Sequence, residues 1–164
     1  MAPQWTRRRL LHFGGGIGLL GVAGCVGTSE TDGWDVAEPL PIAEAQQFNA
    51  PGCGCCESYA TYLRGNITGH LSETTPDELD AIKREYGIPG ELQSCHTLVL
   101  DEYVVEGHVP AGTIGTLIDE RPAIDGIALP GMPSGSPGMG GEKDGPFTIF
   151  AIGGRQTGSV FTEL

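Results

Sequence analysis

Residues 51–65, PGCGCCESYATYLRG, place three cysteines on a turn that leads into a helix. Pro51 and Gly52 favour a turn, and residues 57–64 combine helix formers with apolar side chains at helical spacing. A short strand is expected just upstream, from Ile42 to Phe48. The cysteines are therefore predicted to lie where a strand passes into a helix.

The remaining patterns predict alternating helices and strands, followed by a long loop at residues 130–146 that is dominated by Gly, Pro, Ser and Met. The expected elements are a strand near Gly69–Leu71, a helix with Leu79, Ile82 and Tyr86 on one face, a hairpin of Thr97–Leu100 and Tyr103–Glu106, a helix from Ala111 to Glu120, and a closing hairpin of Phe147–Ile152 and Ser159–Phe161. This order predicts an α/β fold with a small central sheet and flanking helices.

A cysteine pair on a strand-to-helix turn is the placement found in the thioredoxin-like fold. In that fold the later hairpin strands enter the sheet beside the cysteine turn. Cys95 directly precedes the predicted strand at Thr97. By this analogy we expect Cys95 to face the cysteine cluster, which we define as Cys53, Cys55 and Cys56.

The N-terminus has the pattern of an export signal. Residues 6–11, TRRRLL, resemble a twin-arginine motif, and the apolar run Leu10–Ala23 is too short to span a bilayer as an ordinary helix. Val22-Ala23-Gly24-Cys25 resembles a lipobox, in which Cys25 is lipidated. We therefore predict a signal peptide at 1–24, a flexible tether at 25–41 and a metal-binding domain at 42–164, anchored to the outer face of the cytoplasmic membrane.

The chain is acidic, with 9 Lys and Arg against 21 Asp and Glu, and three of the basic residues lie in the predicted signal. Such a surface argues against nucleic acid as a partner, because phosphates need cations. The carboxylates are scattered along the chain instead of clustered. This favours solubility in high salt, where self-repulsion is screened, over a surface specialised to attract cations.

The cysteine cluster carries the strongest chemical signal. Cys53 and Cys56 form a CxxC pair at a helix start, where the helix dipole and free N–H groups stabilise thiolates. Thiolate both binds metals and attacks disulfides, so two chemistries stay open. A redox motif needs only two sulfurs, whereas soft metal ions can use all three. Cys55, inside the pair, therefore favours metal binding.

Other candidate ligands lie downstream. Cys95 and His96 offer a second sulfur and an imidazole, and His108 follows the hairpin, but the sequence leaves open whether either histidine binds a metal. Met132 and Met139 lie in the long loop with few apolar neighbours, so core filling explains them poorly. Thioether and thiolate ligands together favour Cu(I) over zinc.

Four motifs resemble the family called domain of unknown function 411, whose members are often named metal-binding or CopG-like copper-resistance proteins. The resemblance runs from about residue 43 to 161, and the motifs are CGCC at 53–56, IPGELQSCHT at 88–97, VEGHVP at 105–110, and GIALPGMP with GSPGM at 126–139. It implies a thioredoxin-like fold, export and copper handling. Cys53, Cys55, Cys56 and Cys95 match the family's metal-site cysteines, with His108, Met132 and Met139 as neighbours.

The sequence therefore predicts an exported copper-binding protein that sequesters Cu(I) or passes it to a copper exporter or another copper protein. A binding protein is favoured over an enzyme. The enzymatic alternative is a thiol-disulfide oxidoreductase in which Cys53 attacks and Cys56 resolves. The third alternative is a zinc-stabilised binding module.

Overall fold

Seven strands form one mixed sheet in the computed structural model, which describes residues 33–164. The predicted signal peptide and Cys25 lie outside these residues. The described elements are β1 (Glu44–Asn49), α1 (Gly54–Asn66), β2 (His70–Thr74), α2 (Leu79–Glu85), β3 (His96–Leu100), β4 (Tyr103–Glu106), α3 (Ala111–Glu120), β5 (Gly126–Ala128), β6 (Thr148–Ile152) and β7 (Val160–Glu163). None of these helices is long and apolar enough to cross a membrane.

The sheet order is β2-β1-β3-β4-β5-β6-β7. Strands β1 and β2 are parallel, as are β4 and β5, and the other neighbours are antiparallel. The mixed α/β class, both hairpins and the helix Ala111–Glu120 are confirmed. The first helix continues through Gly65 and Asn66 instead of stopping before them, and β5 was not predicted.

The sheet carries apolar packing on both faces, because successive strand residues point to opposite sides. Val105 and Ile127 belong to the larger core with α1 and α3, while their neighbours Val104 and Ala128 pack in a smaller core with Ile88. Each of these strands is buried on both faces, which explains why β4 and β5 lack the alternation of a half-exposed strand.

The stretch predicted as a tether contacts the domain over its described part. The Trp34 indole stacks on Phe147 with ring centroids 5.5 Å apart, and its Nε1 donates to the backbone oxygen of Gly135 at 2.7 Å. The Tyr62 hydroxyl donates to the backbone oxygen of Trp34 at 2.7 Å. Trp34 is therefore part of the packed domain, because burial of its large aromatic side chain stabilises the fold.

Candidate metal centre

The cysteine cluster lies on a tight turn between β1 and α1. Gly52 has a φ of +70°, a left-handed conformation that glycine adopts without steric cost. Cys53 precedes the first helical residue, and its backbone oxygen accepts from the N–H of Cys56 at 3.2 Å. Cys53 therefore stands at the positive end of the helix, where a thiolate is stabilised.

Sheet pairing brings Cys95 to this turn. Strands β1 and β3 run antiparallel with Asn49 opposite His96, and the N–H of Ala50 donates to the backbone oxygen of Cys95 at 3.0 Å. Ala50 leads directly into the cysteine turn, so the residue before β3 must lie beside it. The Sγ atoms of Cys55 and Cys95 are 3.9 Å apart. The expectation that Cys95 faces the cluster is confirmed.

The four sulfurs form one group of possible metal ligands. Those of Cys53, Cys55, Cys56 and Cys95 all lie within 4.8 Å of one another, and the Sγ atoms of Cys53 and Cys55 are 3.4 Å apart. Cys56 is buried and the other three are half-buried. Four soft donors at this spacing match the preference of soft metal ions for thiolate ligands.

Two of these sulfurs are joined in a disulfide between Cys53 and Cys56, while Cys55 and Cys95 are free thiols. A sulfur in a disulfide carries no thiolate, so this state offers two thiol ligands. Reduction would raise the number to four. The centre therefore has an oxidised and a reduced form with different capacities for metal.

Both candidate histidines lie beside Cys95. His108 Nε2 is 3.2 Å from the sulfur of Cys95 and His96 Nδ1 is 3.5 Å from it. Both rings are fully buried. The other ring nitrogen of His108, Nδ1, is 2.7 Å from the backbone oxygen of Pro137. His70 is exposed at the start of β2.

Burial sets the protonation of this pocket. It lowers the pKa of His96 and of His108, so both imidazoles stay neutral near pH 7, the form that binds metals. Burial, with the neighbouring Cys55, raises the pKa of the Cys95 thiol to about 12. Cys95 therefore keeps its proton until a cation replaces it.

The methionine loop contacts the site through its backbone. Pro137 holds His108, and the next residue, Gly138, lies against the backbone of α1 at Tyr59. Met139 follows and is half-buried, whereas Met132 is 38% exposed. The structure thus brings His108 to the sulfurs and carries Met139 on the segment that packs on α1, while Met132 lies on the surface.

Replacing Gly138 with alanine should loosen this loop. Gly138 has a φ of +78°, and an added Cβ would lie 2.6 Å from the backbone nitrogen of Tyr59, so the loop must move. We expect a loss of about 1–3 kcal/mol in the free energy of unfolding, measured with urea. Gly140→Ala is the matched control, since Gly140 has a φ of +67° but nothing within 4 Å of an added Cβ. Equal losses in the two variants would show that the contact with Tyr59 contributes nothing.

A buried ion pair behind the site was missed in the sequence. Lys83 of α2 and Glu106 of β4 form a salt bridge with side chains only 2% and 0% exposed. The Glu106 carboxylate also accepts from the Thr97 hydroxyl at 2.6 Å and from the N–H of Ser94 at 2.5 Å. This carboxylate therefore holds the backbone next to Cys95. The one sequence signal for this ion pair is that Glu106, an acidic residue, ends the otherwise apolar run of β4.

A second buried polar contact supports the cluster from β1. Gln47 Nε2 donates to the backbone oxygen of Cys56 at 2.9 Å and to Asn49 Oδ1 at 2.7 Å. Gln47 is fully buried. Polar residues in a short predicted strand are ordinarily assigned to its solvent face, so the sequence offered no clear signal for this contact.

Fold and site together define a class: a mixed α/β domain with a thiol cluster that could hold a metal ion. Two solved structures, titled "Copper resistance protein copG- Form 2" and "Copper resistance protein copG- Form 1", are each 34% identical to this chain with a TM-score of 0.68. The matches cover 76% and 75% of this chain and 98% of each of those chains. The chain therefore belongs to the DUF411 family of CopG-like proteins, as the motifs indicated.

The family model, described as "Protein of unknown function, DUF411", matches residues 92–139. This segment contains Cys95, His108 and both methionines of the loop, but it begins after the cysteine cluster. The two solved structures extend the similarity to most of the described chain. No curated protein matches the chain.

Proposed function

We propose that this chain is an exported copper-binding protein that sequesters Cu(I) or hands it to another copper protein. The observation that carries the proposal is the single group of four sulfurs, from Cys53, Cys55, Cys56 and Cys95, within 4.8 Å of one another. Copper is the cargo in this reading. It binds once the Cys53–Cys56 disulfide has been reduced.

The donor chemistry supports copper over zinc. Thiolates are soft ligands that select Cu(I), and the methionines of the neighbouring loop add thioethers, which zinc rarely uses. The two similar solved structures carry copper resistance in their titles. Met139, on the segment that packs against α1, is the methionine better placed to line the approach to the sulfurs, with His108 behind Cys95.

The fold and location belong to the same proposal. The order β1-α1-β2-α2-β3-β4-α3, with sheet order β2-β1-β3-β4 and a CxxC pair at the start of α1, supports a thioredoxin-like core extended by β5, β6 and β7. The export signal would place the domain outside the cytoplasmic membrane, held there by a lipid on Cys25. A copper exporter in that membrane is the partner that this location favours.

The proposal is tested by metal content. Full-length protein is loaded with Cu(I) under anaerobic conditions after reduction, and a second sample is loaded with the disulfide closed. The reduced sample should bind more copper per chain, because two further thiolates become available, and excess Zn²⁺ should not displace it. Copper content near zero in the reduced protein would overturn the proposal, and displacement by zinc would favour the zinc-stabilised module.

The Cys53–Cys56 disulfide at the start of α1 favours a second candidate, a thiol-disulfide oxidoreductase. The half-buried Cys53 thiolate would attack a substrate disulfide, forming a mixed disulfide and releasing one substrate thiolate. Cys56, which is buried, would then attack the Cys53 sulfur, closing the disulfide and releasing the second substrate thiolate. Disulfide reduction that persists in Cys55→Ser, together with no copper in the purified protein, would favour this enzyme.

A further inference from the structure

An N-terminal strap, which we define as residues 33–36, is bound to α1 at the end opposite the cysteine turn. The Tyr62 hydroxyl donates to the backbone oxygen of Trp34 at 2.7 Å, and the N–H of Val36 donates to Asn66 Oδ1 at 2.9 Å. Tyr62 and Asn66 are one helical turn apart in α1, so they lie on the same face of the helix. The backbone of the strap is therefore fixed to this face.

The side chain of Trp34 reaches from the strap to the methionine loop, residues 130–146. Its Nε1 donates to the backbone oxygen of Gly135 at 2.7 Å, 101 positions along the chain. The indole also stacks on Phe147, the residue that follows the loop, with ring centroids 5.5 Å apart. Lys143, inside the loop, places its Nζ 5.2 Å from the centroid of the same Phe147 ring. Trp34 therefore contacts the loop directly at Gly135 and its far end through Phe147.

Gly135 begins a compact turn of this loop. Its N–H donates to the backbone oxygen of Gly140 at 2.8 Å, and its φ of +77° is a left-handed conformation that favours glycine. An added Cβ on Gly135 would lie 2.5 Å from the backbone nitrogen of Lys143, so the two arms of the loop are in contact here. Residues 135–143 are therefore closely packed, and fixing Gly135 restricts all of them.

The same turn contacts the candidate metal centre. Pro137, in the turn, accepts a hydrogen bond from His108 Nδ1 at 2.7 Å, and Gly138 lies against the backbone of α1 at Tyr59. The turn is thus held by Trp34 at its start and packs, two and three residues later, on groups that lie next to the sulfurs. Movement of the turn away from α1 would break both of the later contacts and open the centre on this side.

We propose that the N-terminal strap gates the copper site: while Trp34 is bound to the loop, the turn stays on α1 and copper is retained, and release of Trp34 lets the turn move and copper leave. This inference rests on the proposed function for the identity of the cargo. The strap can detach without unfolding the sheet, because it lies outside the strands, Trp34 is only half-buried and Asp35 is exposed. Opening of the gate is therefore a local event.

The first measurement is hydrogen exchange of the reduced, metal-free, full-length protein, followed by mass spectrometry. In Trp34→Ala the amides of residues 135–140 should exchange about tenfold faster, the effect of losing one hydrogen bond and one aromatic contact. Trp34→Phe keeps a ring on Phe147 and loses the donor to Gly135, so its rate should lie between the two, and it remains a test where Trp34→Ala fails to fold. Ile118→Ala, which shortens a half-buried side chain on the same core, is the matched control and should leave the turn unchanged.

The second measurement is the rate at which Cu(I) passes from the reduced, loaded protein to an excess of chelator. Trp34→Ala should release copper faster by a factor similar to its change in hydrogen exchange. Copper per chain before the chelator is added should be unchanged, because no ligand has been removed. Ile118→Ala should release copper at the rate of the unsubstituted protein.

The outcomes separate the gate from the proposed function. Unchanged exchange in the turn would overturn the gate, and so would faster exchange spread evenly over the domain, which would show that Trp34 only stabilises the fold. Faster exchange in the turn with an unchanged rate of copper release would overturn it as well. No copper in any reduced sample would overturn the proposed function and with it the gating of copper, while hydrogen exchange would still show whether Trp34 holds the turn.

Discussion

Cys95→Ser should remove most of the copper that the reduced protein binds. Cys95 is one of the four sulfurs of the proposed site, and its sulfur lies 3.9 Å from that of Cys55 and 3.2 Å from His108 Nε2. Serine offers a hard, protonated oxygen in place of a soft thiolate, so the group of four sulfurs loses its one ligand from outside the cysteine turn. The measurement is copper per chain after anaerobic loading and removal of unbound metal.

Two further variants serve as controls for Cys95→Ser. Cys55→Ser removes one sulfur but leaves Cys95 with its two histidine neighbours, so it should cost less copper than Cys95→Ser. Ser94→Ala removes the hydroxyl that lies 3.8 Å from the Cys95 sulfur and should change copper content little, since that residue supplies no ligand. Unchanged copper in Cys95→Ser would place Cys95 outside the site.

Lys83→Met should destabilise the protein strongly. The change leaves the Glu106 carboxylate, which is 0% exposed, without its cation in the interior. Breaking a buried ion pair by removing one partner costs about 3–5 kcal/mol, because an uncompensated charge remains. Unfolding in urea, followed by circular dichroism, measures this loss. The double variant Lys83→Met/Glu106→Gln should recover part of it, since the charge is gone.

An exposed pair provides the control. Arg64 and Glu73 also form a salt bridge, at 2.7 Å, but their side chains are 45% and 25% exposed. Arg64→Met should therefore cost only about 0–1 kcal/mol. A similar small loss in Lys83→Met would contradict the view that this ion pair anchors α2 to the strand beside the site.

Lowering the pH should reduce the loss of stability that Lys83→Met causes. Burial raises the pKa of Glu106, and Lys83 opposes that rise. Without Lys83 the pKa of Glu106 rises further, so the folded state takes up a proton more readily than the unfolded state. The loss in the free energy of unfolding caused by Lys83→Met should therefore be smaller below the raised pKa of Glu106 and larger above it.

Local patterns were enough for much of the fold. The hairpin of β3 and β4 has two runs of strand formers around Asp101-Glu102, and α3 carries its apolar face at helical spacing. Both signals lie within a dozen residues, where sequence periodicity is informative. β5 was missed because its three residues, Gly126–Ala128, are too few to show a hydrophobic period. They form a strand because they pair with β4 and β6.

Charged and polar residues inside the domain were the hardest to predict. Lys83 and Glu106 lie 23 positions apart, and Lys and Glu are rarely buried without a partner. His96 was recognised as a neighbour of Cys95, but its burial and its unpartnered Nε2 follow from packing between β3 and Tyr59, whose ring centroid is 4.6 Å away. No short stretch of sequence contains both members of either contact.

The sequence by itself determined the chemistry available to this protein, since the softness of a thiolate and the helix start that stabilises it are local properties of residues 53–56. Only the tertiary structure decided which groups meet. Cys56 and Cys95 are 39 positions apart, and the antiparallel register of β1 and β3 brings them together. The pairing of β3 with β4 brings His108 beside the same sulfur, because the N–H of Gly107 donates to the backbone oxygen of His96. Backbone hydrogen bonds between strands thus set positions that side-chain patterns cannot specify.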